Sequence, residues 1–412
     1  MDGLVNVEKI WDDNPLNIDG SRVIDREVYV RPDIYQGEIE NLFYRTWQWV
    51  AHESELPKAG DYVSASIAGR PIVVTRGHEG EINAFYNACT HRGAIIAAKA
   101  KGNCGGSFTC LYHAWTFGMD GTLEAVPRKE AYGDELKRGC YDIPKVRVDV
   151  SAGHIFVNLD GEAPPLADYL GPVAKYVEES TRGCEVLGRV RWSLDGNWKL
   201  WHENFRDNYH PMFAHQVLTM LYQGVKLEGA NYDLGGGHSY MIFPPQGTGD
   251  HYNKMVGRLT GRPFDAPPAM GTSHQQKEHV IMAVFPNLDF QYGTGNGTNP
   301  YSPYCVLEVV RPISVDQAII EIVAFGFKGE PEETRQARLE SILAIQTSAG
   351  KVSGDDNEAA RRCRIGMGAN NVTHWSNMGR GQAPGTAGEK NDEYSLRAFY
   401  SEYKKYMKDY LV

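Results

Sequence analysis

Two short stretches of this sequence carry the same pair of side chains, Cys89-Thr-His91-Arg-Gly and Cys110-Leu-Tyr-His113-Ala-Trp, with 18 residues between His91 and Cys110. Each stretch offers one thiolate and one imidazole. A [2Fe–2S] cluster with mixed ligands needs this set, because two Cys bind one iron and two His bind the other. Neutral imidazoles reduce the negative charge of such a cluster and so raise its reduction potential. The two stretches therefore predict two loops around an electron-transfer cluster.

A structural zinc site is the alternative, since zinc also binds two Cys and two His. Paired zinc ligands usually have two to four residues between them, whereas Cys89 and His91 have only one. Cys104 precedes Cys110 by six residues and is a rival thiol, but no histidine lies close to it in the sequence. We expect Cys104 to be a small buried residue, and the cluster is the favoured interpretation.

The composition is that of an ordinary globular protein, with 42% hydrophobic and 23% charged residues in a chain of 412. A chain of this length usually forms two or three domains. The net charge of −10 argues against nucleic acid or an anionic membrane as a partner. The sequence shows no apolar run long enough for a signal peptide or a membrane span. We therefore expect a cytoplasmic protein whose seven cysteines are reduced thiols or metal ligands.

The pattern along the chain indicates two kinds of structure. Short β-rich runs separated by Gly, Asp and Asn fill residues 51–160, which is typical of a small antiparallel β domain. We place this domain at 45–165, inserted between 1–44 and 166–412, which form a second and larger domain. The larger domain mixes strands and helices, so the fold class is α+β. Residues 222–278 are rich in Gly, Pro and His and predict a long functional loop or lid.

Within the larger domain, the pattern also predicts individual elements. Apolar runs predict strands at 184–194, 279–293 and 304–314, and helical patterns predict helical structure at 167–181, 332–346 and 394–407.

Two further histidines, His210 and His215, lie close together later in the chain. Glu203, Asp207 and His210 stand at positions i, i+4 and i+7, which share one face of a helix. Because Pro211 restricts the residue before it, we expect the helix to break or restart at that point. Two imidazoles and one distant carboxylate form the triad of non-haem Fe(II) sites, which leaves iron positions open for O2 and water. By spacing alone, two such histidines are as often ordinary surface or core residues.

Taken together, C-T-H-R-G-A … C-L-Y-H-A-W and D-x-x-H-x4-H resemble the large (alpha) subunits of Rieske non-haem iron aromatic-ring-hydroxylating oxygenases. Within this family, the chain resembles the group of the terephthalate and benzoate dioxygenases and salicylate 5-hydroxylase. The resemblance covers most of the chain and thins at 222–340. It implies a small antiparallel β Rieske domain inserted into a helix-grip catalytic domain. Ala94 and Tyr112 stand where Rieske proteins of respiratory complexes carry further cysteines, so that branch is disfavoured.

The resemblance also implies which residues bind metal. The implied ligands of the [2Fe–2S] cluster are Cys89, His91, Cys110 and His113. His210 and His215 would bind a mononuclear Fe(II), and the second acid of the pair Asp355–Asp356 falls on the third ligand of the family. Asp355 and Glu358 are the alternatives to Asp356, and a solvated acidic turn is the other interpretation of the segment. His202 and His374 have no partner motif and are interpreted as ordinary hydrogen-bonded histidines.

The mechanism implied by the family passes electrons from NAD(P)H through a reductase, with or without a ferredoxin, to the cluster and then to the iron, where O2 is activated. Asp207 would bridge a cluster histidine of one subunit and an iron histidine of its neighbour. The active unit would then be a homotrimer, α3 or, with a small beta subunit, α3β3. Glu203 and Asn204 are further candidate catalytic residues.

The spacing of Glu203 and Asp207, with three residues between them, resembles the terephthalate, benzoate and salicylate enzymes. An aromatic carboxylate is therefore the expected small-molecule substrate. An N- or O-demethylating monooxygenase is the second interpretation, and a Rieske electron carrier without oxygenase activity is a remote third.

Overall fold

The chain folds into two compact units, Phe43–Asp168 and Met1–Leu42 with Tyr169–Val412. The computed structural model describes residues 23–216, 229–243, 279–293 and 304–408, apart from 135, 138, 351, 373 and 382–386. The predicted range 45–165 lies inside the smaller unit. In the described part of the chain, no helix is long and apolar enough to cross a membrane.

Twenty strands are described. They are β1 (Val23–Asp25), β2 (Gln48–His52), β3 (Asp61–Ile67), β4 (Arg70–Arg76), β5 (Ile82–Tyr86), β6 (Lys101–Asn103), β7 (Ser107–Thr109), β8 (Thr116–Gly118), β9 (Leu123–Ala125), β10 (Arg147–Ser151), β11 (His154–Asn158), β12 (Cys184–Leu194), β13 (Ala230–Gly235), β14 (His238–Phe243), β15 (His279–Val284), β16 (Leu288–Gly293), β17 (Tyr304–Ser314), β18 (Gln317–Phe327), β19 (Trp375–Asn377) and β20 (Ala387–Glu389).

The described α-helices are α1 (Pro32–Gly37), α2 (Leu166–Leu170), α3 (Val173–Thr181), α4 (Trp198–Arg206), α5 (Pro211–Ala214), α6 (Glu332–Ile345), α7 (Ser353–Gly366) and α8 (Tyr394–Met407). A π-helical turn continues α1 over Glu38–Phe43. Single 3₁₀ turns lie at Arg26–Tyr29, Glu53–Glu55, Lys129–Tyr132 and Met367–Ala369.

Three small antiparallel sheets build the smaller unit, with strand orders β10-β11-β2, β5-β4-β3-β6 and β7-β8-β9. The apolar run in β4 is buried on both faces. Ile72 and Val74 pack into one apolar cluster of this unit, whereas Val73 points into a second one. The second cluster contains both Cys89 and Cys110. The β4 sequence therefore provides a core beneath the two cysteine loops.

The larger unit is built on one eight-stranded antiparallel sheet of order β12-β18-β17-β16-β15-β14-β13-β20. Helix α4 packs on this sheet, where Trp201 donates its indole N–H to Glu308 of β17 at 2.9 Å. Helix α8 packs against α4 through Phe399, whose ring lies 6.0 Å from that of Trp198. Sheet and helix α8 thus hold α4, which leads directly into the segment with His210 and His215.

The predicted α+β fold is confirmed, and so are the strands predicted at 184–194 and 304–314 and the helices predicted at 332–346 and 394–407. The helical prediction for 167–181 needs a correction, because this range contains two helices, α2 and α3, with a turn at 171–172 between them. The prediction for 279–293 needs a correction, because this range forms two strands, β15 and β16, with a turn between them. The predicted lid at 222–278 is wrong for 230–243, which form β13 and β14 of the main sheet. Residues 222–228 and 244–278 lie outside the described residues.

Candidate metal centres

The first cysteine loop follows β5 and is closed by two backbone hydrogen bonds. The N–H of Cys89 donates to the carbonyl of Ala94, and the N–H of Gly93 donates to the carbonyl of Cys89, both at 2.8 Å. Gly93 has φ +76°, a left-handed conformation that glycine adopts without steric cost. This turn buries the Cys89 thiol and leaves His91 only partly covered.

The second loop, between β7 and β8, repeats this pattern. The N–H of Cys110 donates to the carbonyl of Trp115 at 2.8 Å, and the N–H of Ala114 donates back to Cys110 at 2.9 Å. Ala114 has φ +57° and occupies the position that glycine has in the first loop. Two loops of the same geometry therefore each present one buried cysteine and one partly covered histidine.

These loops bring the four predicted cluster ligands together. The rings of His91 and His113 lie 4.6 Å apart between centroids, and Trp115 stacks on His91 at 4.8 Å. Burial raises the pKa of the Cys89 thiol, and the neighbouring Cys110 thiol raises it further against the backbone N–H of His91.

The four side chains fit an iron–sulfur cluster. Ionising both of two adjacent buried thiols costs free energy unless a cation balances their negative charge. The buried Nδ1 of His113 has no hydrogen-bond partner among the described residues, as expected for an imidazole that needs a metal. Cys104 is only partly buried, so the expectation of a buried thiol was wrong, and it packs at the edge of the same core.

In the larger unit, helix α4 starts and ends at identifiable residues. The Asn197 side chain caps it by accepting the N–H of Lys199 at 3.0 Å. The helix ends at Arg206, and Asp207 has extended backbone angles of φ −103° and ψ 116°. The prediction that Glu203, Asp207 and His210 share one helical face was therefore wrong, because the break comes before Asp207 and not at Pro211.

Helix α5 is a single turn that starts with Pro211 and is flanked by His210 and His215. Proline fits the first helical position because its missing N–H would have no partner there. The turn brings the two imidazole rings to 5.3 Å between centroids, with the four residues 211–214 between them in the sequence. The break after α4 therefore positions both histidines for one site.

Asp356, in the first turn of α7, completes this group. Its Oδ1 lies 3.4 Å from Nε2 of His210 and 3.3 Å from Nε2 of His215. One ligand atom from each of the three residues lies within 4.8 Å of the others, an arrangement that could hold a metal ion. The interpretation as a solvated acidic turn was wrong, because Asp356 is buried within a helix. Glu358 lies away from this group and pairs with Arg361 and Arg362.

Two further side chains contact this triad. Asn204 donates an amide N–H to Oδ1 of Asp356 at 3.1 Å. Oδ2 of Asp207 lies 3.4 Å from Nδ1 of His210, and its Oδ1 accepts the backbone N–H of Tyr209 at 2.7 Å. Burial lowers the pKa of His210, but Asp207 and Asp356 outweigh it and raise the pKa to about 9. The acidic surroundings therefore favour a positive charge at this point, whether a proton or a metal ion.

Glu203, a predicted catalytic candidate, is not part of the triad. Its carboxylate accepts hydrogen bonds from the hydroxyls of Tyr29, at 2.8 Å, and Tyr400. Burial raises the pKa of Glu203 to about 7, against the hydrogen bonds of both tyrosines.

A buried polar chain behind α4 was not predicted as a unit from the sequence. Arg206 donates its Nε–H to Nε2 of His202 at 2.8 Å, so that nitrogen must be unprotonated. Nδ1 of His202 then carries the proton and donates to Asp289 at 2.7 Å. Asp289 and Glu308 are directly paired on adjacent strands, and both are fully buried. His202 is thus a hydrogen-bonded core histidine, as expected.

No pattern in the sequence could reveal the pairing of Asp289 with Glu308, because it depends on the register of β16 and β17. His374 is exposed, and its backbone carbonyl accepts the N–H of Arg26 at 2.8 Å.

Comparison with known families matches both units. Residues 46–146 match the Rieske [2Fe-2S] domain, and residues 181–409 match the ring hydroxylating alpha subunit (catalytic domain). The match to the Rieske domain decides against the zinc alternative for the first site, and the catalytic domain of this family carries a mononuclear iron.

Individual proteins are similar over most of their length. The large oxygenase component of the 2,4-dinitrotoluene dioxygenase system of Burkholderia sp. (strain RASC) is 31% identical over 364 residues, covering 80% of this chain and 76% of that protein. Toluate 1,2-dioxygenase subunit alpha of Pseudomonas putida is 30% identical over 389 residues, covering 85% and 82%. The crystal structure of naphthalene 1,2-dioxygenase from Rhodococcus sp. bound to indole superposes with a TM-score of 0.80 at 27% identity and covers 94% of both chains.

The Cys–His group thus lies in the unit that matches the Rieske domain, and the His–His–Asp group lies in the unit that matches the catalytic domain. Oxygenases of this family are multicomponent enzymes that receive electrons from a reductase. The chain belongs to the ring-hydroxylating oxygenase family, as a Rieske-type alpha subunit with a [2Fe–2S] cluster and a mononuclear iron.

Proposed function

We propose that this alpha subunit adds both atoms of O2 to the ring of an aromatic carboxylate, at an iron held by His210, His215 and Asp356. The observation that carries the proposal is the buried group in which Oδ1 of Asp356 lies 3.4 and 3.3 Å from the two imidazole Nε2 atoms. Two imidazoles and one carboxylate are the ligands of oxygen-activating non-haem iron.

We further propose that the domain at 45–165 holds the cluster through Cys89, His91, Cys110 and His113. When bound, the cluster supplies single electrons and the Fe(II) supplies the capacity to activate O2.

The protein's own residues prepare the iron site. A carboxylate beside Nδ1 of a ligand histidine fixes the proton on that nitrogen and leaves the Nε2 lone pair for the metal. Asp207, whose Oδ2 lies 3.4 Å from Nδ1 of His210, would do this when the metal is bound, and the hydrogen bond from Asn204 holds Oδ1 of Asp356 near the two histidines. These two partners come from α4 and the break that follows it, the same segment that leads into His210 and His215.

The substrate class rests on two observations. Toluate, the substrate named for one relative, is an aromatic carboxylate, and the spacing of Glu203 and Asp207 resembles enzymes that act on such acids. Dinitrotoluene and naphthalene, named for the other two, are aromatic as well, which supports ring hydroxylation over demethylation.

The proposed partners are a reductase, with or without a ferredoxin, and two further copies of this chain in a homotrimer. Leu111 and Tyr112, beside the ligand His113, are 84% and 56% exposed, which is unusual for large apolar residues next to a redox centre. A subunit contact would cover them. We favour a homotrimer, α3. The alternative is α3β3 with a small beta subunit, and a measurement of the native mass distinguishes the two assemblies. None of the seven cysteines forms a disulfide, and we propose the reducing cytoplasm as the location.

The experiment is a product screen under ¹⁸O2 with purified protein, a matching reductase and NADH. Benzoate, the toluates and terephthalate are compared with naphthalene and 2,4-dinitrotoluene, and His210→Ala is the negative control. We expect carboxylate products that carry two ¹⁸O atoms, absent from the control. Turnover of the uncharged aromatics alone would contradict the substrate class, and a single ¹⁸O atom per product would contradict dioxygenation.

A further inference from the structure

The two histidines of the triad have the same pattern of acidic neighbours. His210 has Asp356 at Nε2, 3.4 Å, and Asp207 at Nδ1, 3.4 Å. His215 has Asp356 at Nε2, 3.3 Å, and Asp355 at Nδ1, 3.4 Å. Each imidazole is therefore flanked by the shared carboxylate on one side and by a carboxylate of its own on the other.

Helix geometry explains how adjacent acids take different places. Successive side chains in an α-helix point about 100° apart, because the helix has about 3.6 residues per turn. In the first turn of α7, the Asp356 side chain points inward and is 8% exposed, whereas that of Asp355 lies at the rim of the site and is 47% exposed. His215 lies between them and is 2% exposed. Asp355 and Asp356 thus lie beside the two different nitrogens of the His215 ring, Nδ1 and Nε2.

We propose that Asp355 is the positioning carboxylate of His215, the counterpart of Asp207 at His210. The inference rests on the proposed function, since it assumes that Nε2 of His215 binds the iron. Asp355 accepts the Nδ1–H of His215, which fixes the tautomer and ring orientation and makes the imidazole a better donor. Asp355 is then neither a metal ligand nor only a favourable charge at the N-terminus of α7.

The test is the affinity of the site for Fe(II), measured without turnover. Protein with its cluster intact is titrated anaerobically with Fe(II) against a coloured chelator, for wild type, Asp355→Asn and Asp355→Leu. Loss of such outer partners typically weakens metal binding by roughly 10–100-fold, which we expect for Asp355→Leu. Asn keeps one acceptor oxygen without the charge, so Asp355→Asn should lie between Asp355→Leu and wild type.

Glu333→Gln is the matched control, because Glu333 is an exposed acid in the first turn of α6, a helix of the same length as α7. We expect it to leave Fe(II) affinity unchanged. If Asp355 acted only through the dipole of α7, Asp355→Asn and Asp355→Leu would lower the thermal midpoint equally and leave Fe(II) affinity at the wild-type value, which would overturn the inference.

Three other outcomes separate this inference from the proposed function. Complete loss of the iron in Asp355→Leu, with iron retained in Asp356→Leu, would make Asp355 the ligand and overturn the positioning role. If wild-type protein bound no Fe(II) in competition with the chelator, the proposed iron site itself would fail. If wild-type protein bound Fe(II), His215→Ala abolished that binding and Asp355→Leu left it unchanged, the positioning role of Asp355 would be refuted while the proposed iron site would stand.

Discussion

The two carboxylate oxygens of Asp207 contact different groups. Oδ1 accepts the backbone N–H of Tyr209 and so holds the chain after α4, while Oδ2 faces Nδ1 of His210. The side chain is still 25% exposed, which leaves room for a further donor from another subunit. A residue that holds the turn, contacts the proposed iron ligand His210 and, as the family resemblance implies, bridges to a neighbouring subunit should tolerate little change.

Asp207→Asn should still fill both metal centres when Fe(II) is in excess, because Asp207 is not itself a proposed ligand, but lose turnover by at least about 10–100-fold. An amide is nearly isosteric with the carboxylate, but it has a single acceptor oxygen and offers N–H groups where the imidazoles also donate. The measurement is stopped-flow reoxidation of the reduced cluster with substrate and O2, together with product yield. If Asp207 were an ordinary surface carboxylate, reoxidation would run at the wild-type rate with a normal yield.

Glu308 is a buried acid that should make stability depend on pH. Burial raises its pKa to about 8, against the hydrogen bond from Trp201 and with further increases from the charges of Asp289 and Asp356. The folded state therefore keeps a proton that the unfolded chain loses near its ordinary pKa of about 4.3. Between these two values, each unit of rising pH should cost about 1.4 kcal/mol of unfolding free energy.

Glu308→Gln removes the titrating group and keeps an acceptor for Trp201. We expect its thermal midpoint to change less than that of wild type between about pH 5 and about pH 8, so that the difference in favour of the variant grows with pH. A constant difference across this range would mean that Glu308 does not hold a proton in the folded protein.

The two cysteine loops show one geometry built from different residues. The loops share their hydrogen bonds, but the left-handed position is Gly93 in one and Ala114 in the other. A left-handed conformation costs an L-residue roughly 1–2 kcal/mol of folding free energy. Glycine avoids this cost but lowers stability by about 0.4–1 kcal/mol, because it gives the unfolded chain more conformational entropy.

Gly93→Ala should therefore destabilise the smaller unit by about 1 kcal/mol, since a Cβ there meets open space and only the backbone is strained. Ala114→Gly should be neutral or stabilising by less than about 1 kcal/mol. The measurement is the midpoint of cluster loss on heating, followed by visible absorbance. Equal effects of the same sign would contradict the shared geometry.

Local sequence rules described most elements well and failed where longer-range contacts decide. Pro211 correctly marks the start of a helix, but α4 already ends at Arg206, because Asp207 adopts extended backbone and binds Tyr209. The Gly-rich stretch at 230–243 looks like a loop by composition, yet strand pairing with β15 and β20 places it in the main sheet. The difference between Asp355 and Asp356 depends on which side of α7 faces the histidines, which no local pattern contains.

For the whole chain, the family was predicted from the resemblance of the two motifs taken together, because each motif is contained in short segments of sequence. Spacing alone left His210 and His215 open, and their grouping with Asp356 was predicted only through the resemblance, since Asp356 lies 141 positions after His215. The buried Asp289–Glu308 pair could not be predicted, because neither strand segment contains a pattern that identifies its partner residue on the other strand.

The proposed trimer can be tested at the loop that carries His113. Leu111→Arg should reduce the native mass towards that of a monomer and lower turnover, while both metals are retained, because this side chain is 84% exposed in the single chain. Val372→Arg is the control, since Val372 is also a largely exposed apolar residue, at 75%. The native mass is measured by light scattering after gel filtration, and a trimeric Leu111→Arg would contradict a contact at this loop.

The most direct test counts the metals. Wild-type protein, purified anaerobically, should contain three irons per chain, two in the cluster and one in the His–His–Asp site, with the spectrum of a Rieske centre. Asp356→Ala should contain two irons, keep that spectrum and form no product. Two irons in the wild type, or three in Asp356→Ala, would contradict the assignment of His210, His215 and Asp356 as the iron site.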